Sequence, residues 1–177
     1  MAKRFPVFLD ITEREIYVFG AGKIAARRAE TLSAFSPRLT VYGTKMNPWF
    51  QKAAAEGKIV LRKETYHPGS IPPHIFMVLA ATDNAAVNEK IYLECREKGI
   101  LVNVCSNQEH CDFHFPGIAS KGELVIGINA GGHDHCLAKK WTDRIRKEVE
   151  EDGYDDQAEK TSDNGKSAEN GAGNTDG

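Results

Sequence analysis

Short apolar runs rich in β-branched residues alternate with longer helical patterns over residues 1 to about 104. Strands and helices that follow each other in this rhythm are typical of an α/β fold, a parallel sheet with helices on both faces. In the first helix, Ile24, Ala25, Ala29 and Leu32 define one apolar face. The predicted strands are 16–19, 39–42, 59–61, 76–80 and 101–104, and the predicted helices are 22–35, 48–55 and 84–98.

The pattern changes after residue 112. Two apolar runs, 113–119 and 124–129, are separated by a polar stretch with a glycine, which predicts a β-hairpin. Residues 133–151 predict an amphipathic helix. Its apolar stripe recurs every fourth residue, at Leu137, Trp141, Ile145 and Val149. A hairpin and one helix are too small to fold alone, so we expect them to pack on the sheet or on a second subunit.

A glycine-rich turn joins the first strand to the first helix. Residues 20–25 fit the pattern GxGxxA, in which Gly20 permits a tight turn and Gly22 lets a pyrophosphate approach the backbone. The phosphates would bind the free N–H groups at the start of the helix. The second strand ends without the acid that holds a ribose 2′-hydroxyl in many such sites. Thr44 could bond the ribose and Lys45 could accept a 2′-phosphate, so the sequence leaves NAD and NADP open.

The end of the fourth strand is a second candidate for cofactor contact. In a doubly wound sheet this end lies near the point where ligands bind, and the small Ala80 and Ala81 leave room for a nicotinamide ring. Thr82 could hydrogen-bond the cofactor. Alternatively, Thr82 or Asp83 caps the helix that follows.

Composition limits the class of protein. Of the 177 residues, 41% are hydrophobic and 27% charged, the balance of a globular protein with one main core. No apolar run approaches the ~20 residues that span a bilayer, and no secretory signal is visible. We therefore expect a cytoplasmic protein with reduced cysteines and no membrane partner. Residues 152–177 carry a net charge of −5 and predict a disordered tail. The sequence contains no basic stripe, so we expect no nucleic-acid partner.

Several motifs occur together in an order that resembles a known family. They are FPVFLD at 5–10, GAGKIAARR at 20–28, AATDN at 80–84 with Asn88, VNV at 102–104, CDF at 111–113, FP at 115–116 and AGG at 130–132. In this the chain resembles the precorrin-2 dehydrogenase and sirohydrochlorin ferrochelatase family, the first module of siroheme synthase. The resemblance implies a Rossmann-type NAD-binding domain over 1–112, a dimerisation hairpin and helix over 113–151, and a homodimer with a tetrapyrrole substrate between its subunits.

The implied reaction is oxidation of precorrin-2 to sirohydrochlorin by NAD, with ferrous iron insertion in some members. The resemblance assigns cofactor binding to Gly20, Gly22, Lys23 and Ile24, and also to Thr44, Thr82 and Val104. It further implies that basic side chains near the cleft, such as Lys139 or Arg144, meet the substrate's acid groups.

The chain departs from the family where catalysis is expected. After the VNV motif the family usually has an aspartate that serves as proton acceptor or chelation ligand, and Ser106 occupies the matching position. A serine hydroxyl does not accept a proton at neutral pH without a base nearby. If the dehydrogenase activity is retained, Asp112, His110 or His114 is expected to replace the missing carboxylate.

Histidines and cysteines are concentrated between residues 105 and 136. Thiolate and imidazole ligands suit zinc, copper or the iron of haem. The candidate metal ligands are Cys111, His114, His133, His135 and Cys136. They indicate an alternative function, in which the module has lost catalysis and binds haem, a tetrapyrrole or a metal. A nucleotide sensor that binds no tetrapyrrole is a third hypothesis, and separate packing of each residue is also compatible with the pattern.

Overall fold

A parallel sheet of five strands forms the centre of the protein. This computed structural model describes residues 5–131 and 134–151. The strands run in the order β3-β2-β1-β4-β5, and every neighbouring pair is parallel. The predicted Rossmann-type fold is confirmed, and β1 and β4 flank the point where the strand order reverses. The strands are β1 (Glu15–Phe19), β2 (Arg38–Tyr42), β3 (Ile59–Arg62), β4 (Met77–Ala80) and β5 (Leu101–Val104).

Apolar cores lie on both faces of the sheet because alternate strand residues point to opposite sides. On one face, Ile16 and Val18 of β1 share a cluster with Ala25 and Ala29 of the first helix. On the other face, Phe19 and Val78 belong to a cluster with Ile91 of the third helix. The helices are α1 (Lys23–Ser33), α2 (Pro48–Ala55) and α3 (Ala85–Lys98), each within two residues of its predicted bounds.

Helix α3 begins differently from the sequence expectation. Its cap is Asn84, whose side chain accepts hydrogen bonds from the backbone N–H groups of Ala86 at 2.9 Å and Val87 at 3.2 Å. The prediction that Thr82 or Asp83 caps this helix is therefore wrong. A side-chain oxygen on the residue just before the helix reaches these N–H groups most directly, and this leaves Thr82 to another network.

The first residues of the predicted hairpin strand, between β5 and residue 117, do not form a strand. After β5 a short 3-10 helix, Gln108–His110, turns the chain back along the edge of the sheet. The N–H of Asp112 donates to the carbonyl of Val102 at 3.0 Å, and the side chain of Asn103 donates to the carbonyl of Phe113 at 2.7 Å. The predicted hairpin strand at 113 therefore begins only at 117, because residues 112–113 are bonded to β5 instead.

The predicted hairpin and helix are present and pack on each other. The antiparallel strands β6 (Gly117–Lys121) and β7 (Leu124–Ile128) are joined by Gly122 and Glu123, and Gly122 has the positive φ of 56° that suits a tight turn. The last helix, α4 (His135–Glu151), crosses β6 where Gly117 lies directly against Thr142. A Cβ on residue 117 would overlap the Thr142 hydroxyl, so the glycine allows this close contact.

Helix α4 leaves half of its apolar stripe exposed. Thr142 is its one buried residue, whereas Leu137 and Trp141 are each 44% exposed. None of the helices in the described part of the chain is long and apolar enough to cross a membrane. The expected tail, 152–177, lies outside the described residues, and the expected domain boundary at 112 stays a prediction.

Candidate functional site

The glycine turn after β1 has the conformation that its motif predicts. Gly20 has a φ of 105°, and its N–H donates to the carbonyl of Tyr42 at 2.8 Å. A Cβ at this position would overlap the backbone carbonyl of Ala81. Only glycine meets both requirements, a left-handed backbone and contact with the neighbouring strand end. The turn therefore lies directly between the ends of β2 and β4.

The start of helix α1 is open for an anion. Gly22 precedes the helix, no side chain caps it, and its first turn contains no acid. A Cβ built on Gly22 meets nothing within 4 Å, so space remains in front of the first N–H groups. Lys23 and Ile24 are exposed there, whereas Ala25 is fully buried and brings the helix close to the sheet. Free N–H groups and the helix dipole make this a suitable diphosphate site.

The loop after β2 is held against the same turn. The N–H of Asn47 donates to the carbonyl of Ala21 at 2.8 Å, and Gly43 packs so closely on Ala21 that an added Cβ would lie 2.8 Å from the Ala21 Cβ. Thr44 and Lys45, between these contacts, are exposed. The loop thus presents both predicted ribose-side residues next to the glycine turn.

A buried asparagine connects the ends of β4 and β5. Asn88, 1% exposed, accepts hydrogen bonds from the Thr82 N–H at 3.0 Å and the Thr82 hydroxyl at 2.7 Å. Its amide nitrogen donates to the Ser106 hydroxyl at 3.2 Å. Thr82 and Ser106 therefore lie on one edge with the glycine turn. Asn88 is among the residues that carry the family resemblance, but the sequence analysis predicts no role for it, although a polar residue on the inner face of a helix is a signal for one.

A cleft of about 1040 Å³ separates α1 from the hairpin and α4. Ile24 and Val104 belong to its wall, so the cleft adjoins the end of the glycine turn. Four other residues predicted for the site line it: Cys111, His114, His135 and Lys139. Ser106, His110 and Asp112 do not belong to this wall. A dinucleotide on the turn and a large ligand in the cleft would meet at Ile24 and Val104.

Two catalytic candidates are engaged in contacts outside the cleft. Asp112 accepts a hydrogen bond from the Val102 N–H at 2.9 Å and another from Arg96 at 3.1 Å. The ring of His110 stacks on Tyr92 at 4.1 Å between centroids. These contacts place both side chains on the outer edge of β5 and on α3, where they support the structure rather than the wall of the cleft.

The expected metal ligands are not gathered by the described part of the chain. Within 5–131 and 134–151, no three His, Cys, Asp or Glu side chains form a group that could hold an ion. The Cys111 thiol donates to the carbonyls of Val104 and Asn107, each at 3.3 Å. Cys136 is exposed, and His133 lies outside the described residues. The alternative metal function therefore has no three-ligand site among these side chains, whereas haem needs only one or two axial ligands, so the haem alternative stays a prediction.

Arg28 and Cys105 form a contact that the sequence did not indicate. The Arg28 guanidinium donates to the Asn103 side chain and to the Cys105 sulfur, and it lies 5.0 Å from the centroid of the Phe115 ring. Burial raises the pKa of the Cys105 thiol, while the positive charge of Arg28 opposes the increase. The thiol is therefore neutral at physiological pH. The partners are more than 70 residues apart, so no local pattern could reveal the pair.

Basic side chains also line the cleft. Arg27, Lys139 and Arg146 belong to the wall, with Lys139 bonded to Asp143 at 2.8 Å. Arg144, the other predicted substrate contact, lies over the ring of Trp141 and binds Glu148 instead. The walls of the cleft therefore carry basic side chains that can pair with acid groups of a ligand, and acidic side chains lie between these basic ones.

The strand order and the glycine turn define a Rossmann-type NAD(P)-binding domain. Residues 7–117 match a family described as "putative NAD(P)-binding". The "Probable multifunctional siroheme biosynthesis protein HemA" of Ruminiclostridium josui is 32% identical over 145 residues, which are 81% of this chain and 28% of that protein. The siroheme synthase of Methylobacillus flagellatus is 31% identical over 140 residues, 79% of this chain and 30% of its own.

The chain belongs to this putative NAD(P)-binding family, and the relatives with similar sequences are named for siroheme synthesis, the pathway that the motifs indicated. It spans less than a third of the length of the curated relatives named above. Among solved structures, the precorrin-2 dehydrogenase SirC has a similar fold, with a TM-score of 0.67 and 23% identity over 86% of this chain and 72% of SirC.

Proposed function

We propose that this chain oxidises precorrin-2 to sirohydrochlorin with NAD⁺ as the hydride acceptor. The observation that carries the proposal is the junction at Ile24 and Val104, where the open glycine turn adjoins the large cleft. A nicotinamide ring at this junction would face a planar ligand in the cleft. The relatives' names point to the same pathway.

The residues of the turn fit the dinucleotide. The unobstructed space at Gly22 and the N–H groups of Lys23 and Ile24 would hold the diphosphate. Thr82 lies at the adjacent strand end, where its hydroxyl already bonds Asn88. The oxidised dinucleotide supplies the acceptor for one hydride, and the protein orients it against the substrate.

The cleft fits a large acidic substrate. Arg27 and Arg146 provide cations on its opposite walls, and Lys139 adds a third. Carboxylate side chains of a tetrapyrrole would pair with these groups by charge-assisted hydrogen bonds. Asp134, Asp143 and Glu150 also line the wall, so the cations would fix the orientation of the substrate rather than attract every anion equally.

Loss of a hydride leaves one proton for the protein or solvent to accept. Of the four catalytic candidates, His114 alone lines the cleft. An imidazole accepts a proton near neutral pH, which a serine hydroxyl does not. We therefore infer that His114 takes the proton, while Ser106 at the strand edge does not act as the base.

We also propose a homodimer formed through the hairpin and α4. The half-exposed Leu137 and Trp141 would be covered by a second copy. An apolar stripe of this kind is more favourable inside an interface than in water. The substrate cleft borders the same helix, so the second copy would also limit access of water to it.

The test is an anaerobic incubation of the purified chain with precorrin-2 and NAD⁺. The expected result is the absorption spectrum of sirohydrochlorin with one NADH formed per substrate. Replacement His114→Gln should lower kcat by about 10²- to 10⁴-fold without changing the Kd for NADH. His67→Gln, an exposed histidine that does not line the cleft, is the matched control. No turnover by the unaltered protein would refute the proposal.

A further inference from the structure

The buried amide of Asn88 has all of its hydrogen-bonding capacity engaged. Its oxygen accepts from the N–H and the hydroxyl of Thr82, at 3.0 and 2.7 Å. Its nitrogen donates to the carbonyl of Thr82 at 3.1 Å and to the Ser106 hydroxyl at 3.2 Å. Two of these partners are backbone groups, an N–H that only donates and a carbonyl that only accepts. The orientation of the amide is therefore determined, and the roles of the two hydroxyl groups follow from it.

Thr82 presents a hydrogen-bond acceptor to a ligand. Two oxygens 2.7 Å apart need a proton between them, and only the Thr82 hydroxyl can supply it to Asn88, since the amide oxygen carries none. The Asn84 carbonyl competes for this proton from the longer distance of 3.0 Å, while the Asn84 N–H donates to the hydroxyl oxygen at 3.2 Å. One lone pair is left on a side chain that is only half-buried. A ligand can thus donate to Thr82 but does not receive its proton.

Ser106 presents the opposite group. Its oxygen accepts from the Asn88 nitrogen, so its own proton is not used in that bond. The serine is exposed, and the proton is therefore available to a ligand. An ionised aspartate, the residue that the family usually has at this position, has no proton to donate. The serine of this chain thus adds a hydrogen-bond donor to the strand end.

The acceptor and the donor lie at neighbouring strand ends. Ala80 and Val104 are in register as the last residues of β4 and β5, and Thr82 and Ser106 each follow two residues later. Val104 also lines the cleft. Both hydroxyl groups bond the two ends of one amide, so they are close enough for a second amide to bridge them. They stand beside the place where the nicotinamide ring is proposed to lie.

We propose that Thr82 and Ser106 bind the carboxamide group of the nicotinamide. A primary amide carries a donor and an acceptor next to each other. Its amino group would donate to Thr82, and its carbonyl would accept from Ser106. Asn88 is the positioning residue, because it determines which hydroxyl donates and which accepts. The inference rests on the proposed function and adds to it how the ring is oriented, since a fixed carboxamide holds one face of the ring towards the cleft.

The test compares three ligands by titration calorimetry with the full chain. They are NAD⁺, its acetylpyridine analogue, in which a methyl group replaces the amino group of the carboxamide, and ADP-ribose, which has no pyridine ring. We expect NAD⁺ to bind about 3- to 10-fold more tightly than the analogue, as for one hydrogen bond. Thr82→Val removes the acceptor and should bring this ratio close to one. Ser106→Ala removes a donor that serves both ligands, so it should weaken both about 3- to 10-fold and leave ADP-ribose unchanged.

Conservative variants and a distant serine provide the controls. Thr82→Ser and Ser106→Thr keep a hydroxyl and should retain the binding pattern of the unaltered protein. Ser70→Ala replaces an exposed serine in the loop between β3 and β4, whose neighbour Gly69 binds Glu94 on α3. It is the matched control and should change none of the three dissociation constants.

The ligand comparison on the unaltered protein does not depend on the stability of any variant. Equal binding of NAD⁺ and the analogue would overturn the carboxamide proposal and leave the proposed dehydrogenase standing. A loss of ADP-ribose affinity in Ser106→Ala would also overturn it, because the serine would then contact the ribose. Failure of NAD⁺ to bind at all would overturn the two proposals together.

Discussion

Replacing each of the two glycines of the turn by alanine should have opposite effects on folding and on binding. Gly22 has an extended backbone with a φ of −80°, which alanine adopts without strain, and its Cβ would meet no protein atom within 4 Å. Gly20 has a φ of 105° and faces the Ala81 carbonyl. Gly22→Ala should therefore alter binding with little effect on folding, whereas Gly20→Ala should damage the fold.

The magnitudes follow from these surroundings. At Gly22, a small loss at the helix start is offset by the reduced entropy of the unfolded chain, so the free energy of unfolding should change by less than about 0.5 kcal/mol. The added methyl group would displace the diphosphate from one or two N–H donors and weaken binding by about 10- to 100-fold. At Gly20, backbone strain and overlap together should cost roughly 2–6 kcal/mol of stability.

The assay measures both quantities on each variant. Urea denaturation gives the free energy of unfolding, and titration with NADH and NADPH gives the dissociation constants. Gly127→Ala, in β7 away from the turn, serves as the matched control, because a Cβ added there would make only an ordinary contact of 3.7 Å with Pro116. The result that would refute the reasoning is a Gly22→Ala protein of normal stability that binds both coenzymes as tightly as the original. It would mean that the diphosphate does not approach Gly22.

Three further changes test other parts of the structure. Burial alone would raise the pKa of Glu94, but hydrogen bonds from Lys98, Tyr66 and two backbone N–H groups lower it from 4.5 to about 2. The carboxylate should thus contribute about 3 kcal/mol above pH 4.5, lost as the pH falls towards 2; urea denaturation should show this slope, and Glu94→Gln should lack it. Ser106→Asp should raise kcat for precorrin-2 about tenfold or more if a base at the strand edge assists the reaction, and an unchanged rate would exclude that assistance. Trp141→Glu should convert the proposed dimer to a monomer in sedimentation experiments, with Lys140→Glu as the exposed control, and an intact Trp141→Glu dimer would show that α4 is not the interface.

The sheet and its helices were predictable because the apolar periodicity of each strand and helix lies within a few consecutive residues. The helix at 48–55 and the strand at 101–104 agree with the structure at both ends. The errors occur where the pattern depends on distant partners. Phe113 and Phe115 resemble a strand, but these rings pack against the core that includes α1, and the backbone between β5 and the hairpin follows the sheet edge.

The glycine turn was equally predictable, since its requirements lie within six residues. The walls of the cleft were not. Cys105 and His114 line it, whereas His110 and Asp112 lie between them in sequence and contact α3 or the outer edge of β5. A chain that turns through a 3-10 helix distributes neighbouring residues to opposite sides of a strand. Residue type and proximity in sequence therefore could not distinguish the residues that line the cleft from those that only support the edge of the sheet.

The same geometry shows why Asp112 is a poor substitute for the absent family aspartate. Its carboxylate satisfies the N–H of Val102 on the edge strand and pairs with Arg96 on α3. Turning it towards the cleft would leave that N–H without its partner, at a cost of about 1–3 kcal/mol, and would break the ion pair. Ser106, by contrast, lies at the strand edge with its hydroxyl bonded to Asn88, and an aspartate there could accept the same bond. A gain in rate from Ser106→Asp with Asp112 unchanged would therefore show that a carboxylate at the strand end can assist His114, which Asp112 in its present contacts does not.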